Sequence, residues 1–249
     1  MNALNTTKTS RPFRETAAQA AVPDGGLATI RSGGPLAPNG VRMLPDEQLS
    51  HEISSHIDAA AQALDSLRRQ SAVLARWGRD LAQHLSAGGR LLVAGNGGSA
   101  AEAQHLTAEL VGRYDGERRP FSAIALHGDT SALTAIGNDY GYDEVYARQV
   151  RAHARHGDIV LLLSTSGKSP NLVAAAQAAH EAGAISWALT GPGPNPLAAA
   201  VDDAVTLDAR SCHVQEAQLI AIHALCECFD ACVREDASME SDAFVEGRD

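Results

Sequence analysis

Aromatic residues are scarce in this sequence, at 4% of 249 residues, so alanine, leucine, valine and isoleucine must build any core. Apolar runs of the roughly 18–20 residues that a membrane span requires are missing too. Positive charge is also in short supply, since 20 lysines and arginines face 30 aspartates and glutamates. The net charge of −10 argues against a nucleic-acid binder that works through bulk charge. An acidic protein can still hold an anionic small ligand in a locally positive site.

Cysteines are few, and all four lie in the last forty residues of the chain, at Cys212, Cys226, Cys228 and Cys232. A disulfide scaffold would spread them, and no secretory signal is recognisable, so we expect a reducing, cytoplasmic location. Cys228 and Cys232 are four residues apart on a predicted helix, a spacing that a metal ion can use. Small buried thiols in an alanine-rich core are the favoured interpretation.

Composition divides the chain into three parts. Residues 1–44 combine four prolines and two glycine pairs with a slight excess of basic residues, and they lack apolar periodicity. We expect a flexible arm there, with a transit peptide as the less favoured alternative. Residues 45–234 carry the regular patterns of one folded domain. Residues 235–249 are rich in aspartate and glutamate, which predicts a solvated acidic tail.

The folded part alternates between helical and strand patterns. Apolar spacing predicts helix over 45–87, and a final helix from about 213 to 233. Five short apolar strands are predicted at 90–94, 121–126, 158–163, 185–190 and 204–207. Further helices are predicted between them, including segments near 130–137 and 142–155. Strands that are apolar throughout and alternate with helices indicate an α/β protein with a parallel sheet covered on both faces. Ligands bind such sheets at the carboxyl ends of the strands.

Two polar loops follow the first and third predicted strands, and each opens a helix. The first is Gly95-Asn96-Gly97-Gly98-Ser99, and the second is Ser164-Thr165-Ser166-Gly167-Lys168-Ser169. Glycine permits close backbone approach, and a helix N-terminus with hydroxyl groups can hold phosphate. Neither loop fits the dinucleotide or P-loop fingerprint, and each alone could be an ordinary turn with a serine cap. Together they favour an anionic ligand.

Two predicted helices present pairs of metal-ligand side chains. His105 and Glu109 are four residues apart and share a helix face. Gln215 and His223 are eight residues apart on the final helix. They are therefore about two turns apart and differ by about 80° around the helix axis, so they share a face. His213 and Gln218 lie nearby on that helix. One metal ion could be held by the two pairs together, His105 with Glu109 and Gln215 with His223. Alternatively, each pair could be an ordinary feature of a helix surface.

Four segments together resemble the phosphoheptose isomerases of the sugar isomerase (SIS) domain group. They are GNGGSAAEAQHLTAELVGRY at 95–114, TAIGNDYG at 134–141, STSGKSPN at 164–171 and QEAQLIAIH at 215–223, in the order found in that family. The resemblance covers roughly residues 50–233. It implies a doubly wound, five-stranded parallel sheet of the flavodoxin-like SIS type with N-terminal helices. It also implies a homotetramer with active sites at subunit interfaces.

The resemblance further implies an activity and a set of site residues. The activity is the conversion of sedoheptulose 7-phosphate to D-glycero-D-manno-heptose 7-phosphate through an enediol(ate). Glu109 and His223 are the implied acid–base pair. One Zn²⁺ per subunit is implied at His105, Glu109, Gln215 and His223. The implied substrate contacts are Asn96, Gly97, Gly98, Ser99, Asn138, Asp139, Ser164, Thr165, Ser166, Ser169 and Gln215.

Three positions depart from the family pattern. Lys168 replaces an asparagine in the serine loop, where it either contacts phosphate or, as favoured, points to solvent. Cys212 stands where members often carry aspartate, and Gln218 where some carry histidine. The change at Cys212 leaves open an isomerase of another long-chain sugar phosphate, for example in secondary metabolism. A non-catalytic SIS protein that binds or regulates is a further alternative, although the presence of both Glu109 and His223 favours an enzyme.

Overall fold

The computed structural model describes residues 42–246 of the chain, with side chains up to residue 233. The helices are α1 (Asp46–Arg68), α2 (Ser71–Ser86), α3 (Gly98–Val111), α4 (Thr130–Tyr140), α5 (Ala147–His153), α6 (Pro170–Glu181), α7 (Pro196–Ala200) and α8 (Ser211–Glu246). The strands are β1 (Leu91–Gly95), β2 (Ala123–Ala125), β3 (Ile159–Ser164), β4 (Ile185–Thr190) and β5 (Asp203–Thr206). The predicted arm at 1–44 lies almost wholly outside the described residues.

All five strands form one parallel sheet in the order β2-β1-β3-β4-β5. This arrangement confirms the predicted doubly wound α/β fold, and the order is that of flavodoxin-like sheets. The strand order reverses between β1 and β3, whose residues pair from Leu91 with Ile159 to Gly95 with Leu163. The loops that follow these two strands therefore leave the sheet side by side, at the position where open α/β sheets bind ligands.

Alternate residues of the strands enter cores on opposite faces of the sheet. Leu91 and Val93 pack on the face that carries α2, α3 and α8, while Leu92 and Ala94 pack on the face that carries α5 and α6. Because both faces are covered, β1 and β3 are buried along their whole length, as their unbroken apolar runs predicted. The stacked rings of Trp77 and Trp187 fill the first core, with centroids 4.8 Å apart.

The helices differ from prediction in three places. The single helix predicted over 45–87 is two helices separated by a turn at residues 69–70, which contains no glycine or proline to reveal it. The helix predicted over 142–155 is a short 3-10 turn at Tyr142–Glu144 followed by α5. The last helix continues to Glu246 rather than ending near 233. Residues 234–246 include no glycine or proline, and Gly247 is the first residue that favours a stop.

The chain divides into two units, Met1–Leu49 and Ser50–Asp249, and the second holds the sheet and its surrounding helices. In the first unit, the carbonyl of Pro45 accepts hydrogen bonds from the backbone N–H groups of Gln48 and Leu49. Within residues 42–246, no helix combines the length and the apolar character needed to cross a membrane.

Candidate active site

The glycine loop after β1 turns directly into α3. The backbone N–H of Ser99 donates to the carbonyl of Asn96, which closes the turn at a distance of 3.1 Å. A Cβ atom at Gly98 would lie 1.8 Å from Nε2 of Gln215, so only glycine leaves room for that amide. The loop thus brings Gln215 of α8 against the first turn of α3, and Ser99 is buried there.

The side chain of Asn96 is held between the two loops. It exchanges two hydrogen bonds with Asn171 of α6, each 3.0 Å long between amide nitrogen and amide oxygen. The hydroxyl of Tyr142 donates a third, of 3.0 Å, to Oδ1 of Asn96. Asn96 therefore links the loop after β1 to the helix that follows the loop after β3.

The serine loop after β3 is shaped by its own hydroxyl groups. Oγ of Ser164 accepts from the backbone N–H of Gly167 at 3.0 Å, and Oγ of Ser166 accepts from that of Lys168 at 3.2 Å. Oγ1 of Thr165 accepts from the hydroxyl of Ser211 at 2.7 Å, which joins the loop to the start of α8. These hydroxyls lie beside the N-terminus of α6, where Pro170 occupies the first turn.

Gly167 gives the serine loop its bend. Its φ of +62° is in the left-handed region, and a Cβ atom there would lie 2.1 Å from Oδ1 of Asn195. Asn195 in turn caps α7 by accepting from the N–H of Ala198, and it donates to Oγ1 of Thr190 at 2.8 Å. The loop is thus held against the end of β4 by an amide that sequence reasoning did not identify.

His105, Glu109 and His223 meet between α3 and α8, and we call them the His105 cluster. Nε2 of His105 lies 2.9 Å from Nε2 of His223 and 3.4 Å from Oε1 of Glu109. Which of the two facing Nε2 atoms donates depends on the tautomer of each imidazole. The Tyr114 ring packs beside His223, with centroids 5.4 Å apart.

Three of the four predicted metal ligands form this cluster, and the chemistry of the group fits zinc. Tetrahedral zinc with bonds of about 2.0–2.2 Å places its nitrogen and oxygen ligands about 3.3–3.6 Å apart. The two separations measured from His105 are close to that range, but the ligand atoms of His105, Glu109 and His223 do not all lie within 4.8 Å of one another, so Glu109 and His223 must move closer together to share one ion. Gln215 instead contacts Gly98, at the beginning of the helix that carries His105 and Glu109.

The other two ligand-type residues of α8 lie elsewhere. Gln218 is fully buried and donates to the carbonyl of Leu189 at 2.6 Å, so it fastens α8 to β4. His213 is buried against Glu216 of its own helix, with Nδ1 3.0 Å from Oε2. Neither contact involves the His105 cluster.

Arg118 fixes the end of α3 just beyond Glu109. It donates to the backbone carbonyls of Glu109 and Leu110, at 2.7 and 3.1 Å, and to Oδ1 of Asp230 at 2.7 Å. Both charged side chains of this ion pair are at most 5% exposed. Arg118 also lies 5.4 Å from the centroids of the Phe121 and Phe229 rings. The helix that presents Glu109 is therefore locked to α8 by a buried cation.

Glu102 lies on α3 between the glycine loop and His105. It is 7% exposed, and its Oε2 atom has no hydrogen-bond partner among the described residues. Burial raises the pKa of Glu102 from 4.5 to about 7, because a buried carboxylate loses its hydration. A carboxyl group that holds its proton near neutral pH thus lies one turn from the His105 cluster.

Asn138 and Asp139 end α4 in exposed positions. Nδ2 of Asn138 donates to Oδ1 of Asp139 at 2.8 Å, so their recorded contact is with each other. Lys168 is exposed as well, which agrees with the solvent-facing alternative for that residue.

Residues 55–191 match the SIS domain family. The phosphoheptose isomerase of Streptomyces coelicolor is 59% identical over 180 residues, which cover 72% of this chain and 78% of that protein. The chain belongs to the SIS domain family, among the phosphoheptose isomerases. This membership makes it a sugar-phosphate isomerase.

Solved SIS structures share the fold. The phosphoheptose isomerase of Neisseria gonorrhoeae is 38% identical with a TM-score of 0.68, over 74% of this chain and 99% of that one. A phosphoheptose isomerase from Francisella tularensis is 33% identical with a TM-score of 0.70, over 73% of this chain and 97% of that one.

Several residues that shape this SIS site were missed by sequence reasoning. Asn171 lies within the serine-loop segment, and Tyr142 follows the segment at 134–141, but neither was assigned a role. Asn195 could have been found as a helix cap, because it precedes Pro196 and a short apolar helix. Glu102 and Arg118 gave no signal, since their burial depends on contacts with distant parts of the chain.

Proposed function

We propose that this SIS protein interconverts sedoheptulose 7-phosphate and D-glycero-D-manno-heptose 7-phosphate through an enediol(ate). The observation that carries the proposal is the His105 cluster, in which one carboxylate and two imidazoles meet between α3 and α8. The glycine loop leads into α3, and the serine loop is joined to the start of α8. Relatives named phosphoheptose isomerase at up to 59% identity support a seven-carbon substrate.

Aldose–ketose isomerisation moves a proton between C1 and C2, so it needs a base at carbon and an acid at the oxygens. Glu109 is the proposed base, because its partly buried carboxylate lies 3.4 Å from the imidazole of His105. His223 is the proposed acid partner, because its Nε2 lies 2.9 Å from the same imidazole. The contact of both residues with His105 supports a catalytic role over a non-catalytic one.

His105, Glu109 and His223 would hold the proposed zinc ion, and Gln215, which lies against Gly98, is the fourth proposed ligand. Bound there, Zn²⁺ would supply positive charge for the oxygens of the enediol(ate). The imidazole of His105 orients the carboxylate of Glu109, and Arg118 holds the helix end that carries it.

The serine loop is the proposed phosphate site. Ser164, Thr165, Ser166 and Ser169 lie beside the N-terminus of α6, where the helix dipole attracts anions. The net charge of −10 opposes a dianion at long range, so this attraction must be local. The glycine loop, Asn138 and Asp139 are proposed to contact the sugar.

A homotetramer with interfacial active sites is proposed from the surface of the protomer. Ile53 and Ile57 are 62% and 60% exposed on one face of α1, and Ile220 is 45% exposed on α8. None of the residues of α4 is buried, although Leu133 and Ile136 are apolar. Light scattering during gel filtration is expected to give four times the chain mass of 26.0 kDa.

A cytoplasmic location is proposed from the cysteines. All four thiols are free, as a reducing compartment would keep them. Cys226 is buried, and its burial is the main reason that its pKa is raised to about 12. It therefore remains a protonated, unreactive thiol. Cys226 thus agrees with the interpretation of these cysteines as core thiols, whereas Cys228 and Cys232 are only partly buried and Cys212 is exposed.

A different long-chain sugar phosphate is the second candidate substrate, and Cys212 is the observation that favours it. This exposed thiol replaces a carboxylate that family members often present to the sugar. A thiol is a weak hydrogen-bond partner, so it would recognise a different pattern of hydroxyl groups.

The test is an isomerase assay with sedoheptulose 7-phosphate and with five- and six-carbon ketose phosphates, with product formation followed by NMR. We expect the highest kcat/KM for the seven-carbon substrate, and metal analysis is expected to find zinc at the His105 cluster. Turnover only of another sugar phosphate would select the second candidate. Absence of turnover with every sugar phosphate would contradict the enzymatic proposal.

A further inference from the structure

A second group of metal-ligand side chains lies outside the His105 cluster, where α1 meets the beginning of α8. The ligand atoms of His56, Cys212 and His213 all lie within 4.8 Å of one another. Glu216 contacts both imidazoles, with Oε1 2.5 Å from Nε2 of His56 and Oε2 3.0 Å from Nδ1 of His213. Four ligand-type groups thus converge from helices that are about 150 residues apart in sequence.

The composition of this group is that of a zinc site. Thiolate, imidazole and carboxylate are the ligands that Zn²⁺ takes, whereas Mg²⁺ and Ca²⁺ prefer oxygen alone. Tetrahedral zinc requires ligand atoms about 3.3–3.8 Å apart, so atoms that lie within 4.8 Å of one another need to move closer by at most about 1.5 Å. Cys212 and His56 are exposed and can rotate inward, while His213 is 3% exposed and fixed in place.

The group is accessible to an ion from solvent. A surface cavity of about 500 Å³ opens beside it and is lined by His56, His213, Glu52 and Arg210, among others. Glu52 is one helical turn from His56, so its carboxylate lies on the same face of α1. An ion can therefore reach the imidazoles without displacing the core.

This group is separate from the proposed catalytic metal site. His213 and Gln215 are two residues apart on α8, which turns their side chains about 200° from each other. Gln215 contacts Gly98, whereas His213 faces His56, with ring centroids 4.6 Å apart. The His105 cluster also has no thiol among its members, which gives the two sites different spectroscopic properties.

We propose that His56, Cys212, His213 and Glu216 bind a second metal ion of the zinc class, which ties α1 to the start of α8. Binding releases the thiol proton of Cys212 to solvent and replaces the contacts between Glu216 and the two imidazoles with bonds to the ion. The buried residues of α1 are Ala63, Ser66 and Leu67, all in its C-terminal half. The ion would hold the N-terminal half, next to the helix start that Ser211 joins to the serine loop.

Cobalt titration of the metal-free, full-length protein without oxygen tests the proposal, because Co²⁺ bound to thiolate absorbs in the near ultraviolet. We expect a thiolate-to-cobalt band that saturates at one equivalent per chain and disappears when excess Zn²⁺ is added. A titration that gives no such band overturns the proposal.

Variants locate the ion. Cys212→Ser is expected to abolish the band, and His56→Ala to weaken cobalt binding at least tenfold; both residues are exposed, so folding should be preserved. Cys228→Ser and His223→Ala are the matched controls on α8 and should keep the band. A band that survives Cys212→Ser, or is lost in either control, contradicts the assignment.

Hydrogen exchange tests the link between the helices. Zinc should slow exchange at residues 52–60 of α1 in the wild-type protein but not in Cys212→Ser. Equal protection in both proteins would show that the ion does not tie α1 to α8.

Discussion

At the scale of single residues, two hydroxyl groups of the serine loop hydrogen-bond to the backbone of the loop itself. Oγ of Ser166 accepts from the backbone N–H of Lys168, which leaves the hydroxyl hydrogen to be donated elsewhere. Ser164 is buried and its Oγ holds the N–H of Gly167, so it shapes the loop. Ser166 is exposed, which makes it the more direct test of phosphate binding.

Ser166→Ala should raise KM about tenfold or more while kcat stays near the wild-type value. A hydrogen bond to a charged group contributes roughly 1.5–3 kcal/mol, and about 1.4 kcal/mol corresponds to one decade. The phosphate lies far from the reacting carbons, so ground and transition states lose this bond equally. Steady-state kinetics, with Lys168→Asn as a control of small effect, provide the measurement. Unchanged KM with a collapsed kcat would place this loop at the reacting carbons instead.

Glu102 should make the protein less stable as pH rises from about 4.5 to about 7. Its pKa is about 7 in the folded protein, against an unfolded value of 4.5, so the folded state keeps the proton through that window. The stabilising contribution is complete below the unfolded pKa and is lost as pH passes the folded pKa. Its upper limit is about 3 kcal/mol, at roughly 1.4 kcal/mol per pH unit.

Urea unfolding across this pH range should show the decline in the wild-type protein and a flatter profile in Glu102→Gln, which imitates the protonated acid. Glu117→Gln, at an exposed position, is the control and should follow the wild type. Parallel profiles for wild type and Glu102→Gln would show that this carboxyl does not titrate as described.

At the scale of elements, α3 and α8 carry the site, and their relative position depends on contacts at both ends. Gln215 rests on Gly98 at the first turn of α3, while Arg118 joins the last turn to Asp230 of α8. The imidazoles of His105 and His223 meet between these two contacts. The geometry of the His105 cluster therefore depends on residues that would not touch the substrate.

Arg118→Met should lower the free energy of unfolding by about 3–5 kcal/mol, because it removes one member of a buried ion pair. It should also reduce kcat, since the carbonyls at the end of α3 lose their donor. Arg119→Met is the matched control, because Arg119 is exposed although its guanidinium also packs on the Phe121 ring. Chemical unfolding of both variants checks the prediction, and an equal loss of stability would contradict it.

Sequence patterns were most informative where they were local. The apolar runs at Leu91–Gly95 and Ile159–Ser164 predicted buried strands, and the strand order then placed the two loops together. The turn at residues 69–70 was missed because it contains neither glycine nor proline, the residues that most often mark a helix end. The Arg118–Asp230 pair spans 112 residues, so no periodicity could have revealed it.

For the candidate site, too, residue spacing predicted which side chains share a helix face, but not which neighbouring element each face contacts. The spacing of His105 and Glu109 correctly placed them on one face, and His223 does join them. Spacing could not show that His213 faces α1 or that Gln218 faces β4, because both depend on how α8 is rotated in the fold.

At the scale of the whole molecule, the domain boundary predicted near residue 45 has a functional consequence. The elements that carry the proposed site lie after that point, as do the exposed isoleucines of α1 and α8. The arm contributes proline, glycine and a few basic residues, and its pattern offers no apolar face.

Deletion of residues 1–44 should leave the number of chains per oligomer unchanged and the kcat/KM within about twofold of the full-length value, since the composition of this segment predicts no apolar face that could pack. Light scattering and steady-state kinetics on the same preparation provide the comparison. A truncated protein that dissociates or loses turnover would show that the arm is structural.

The most direct test of the account is the conversion of sedoheptulose 7-phosphate in D₂O by the wild-type protein and by Glu109→Gln, followed by NMR. The wild type should form the aldose phosphate with deuterium from solvent at C2, as proton transfer through an enediol(ate) requires. Glu109→Gln should bind the substrate with similar affinity but turn it over about 10²–10⁴ times more slowly, the usual effect of losing one catalytic base. Near wild-type turnover by that variant, with its fold intact, would remove Glu109 from the mechanism and contradict the central claim.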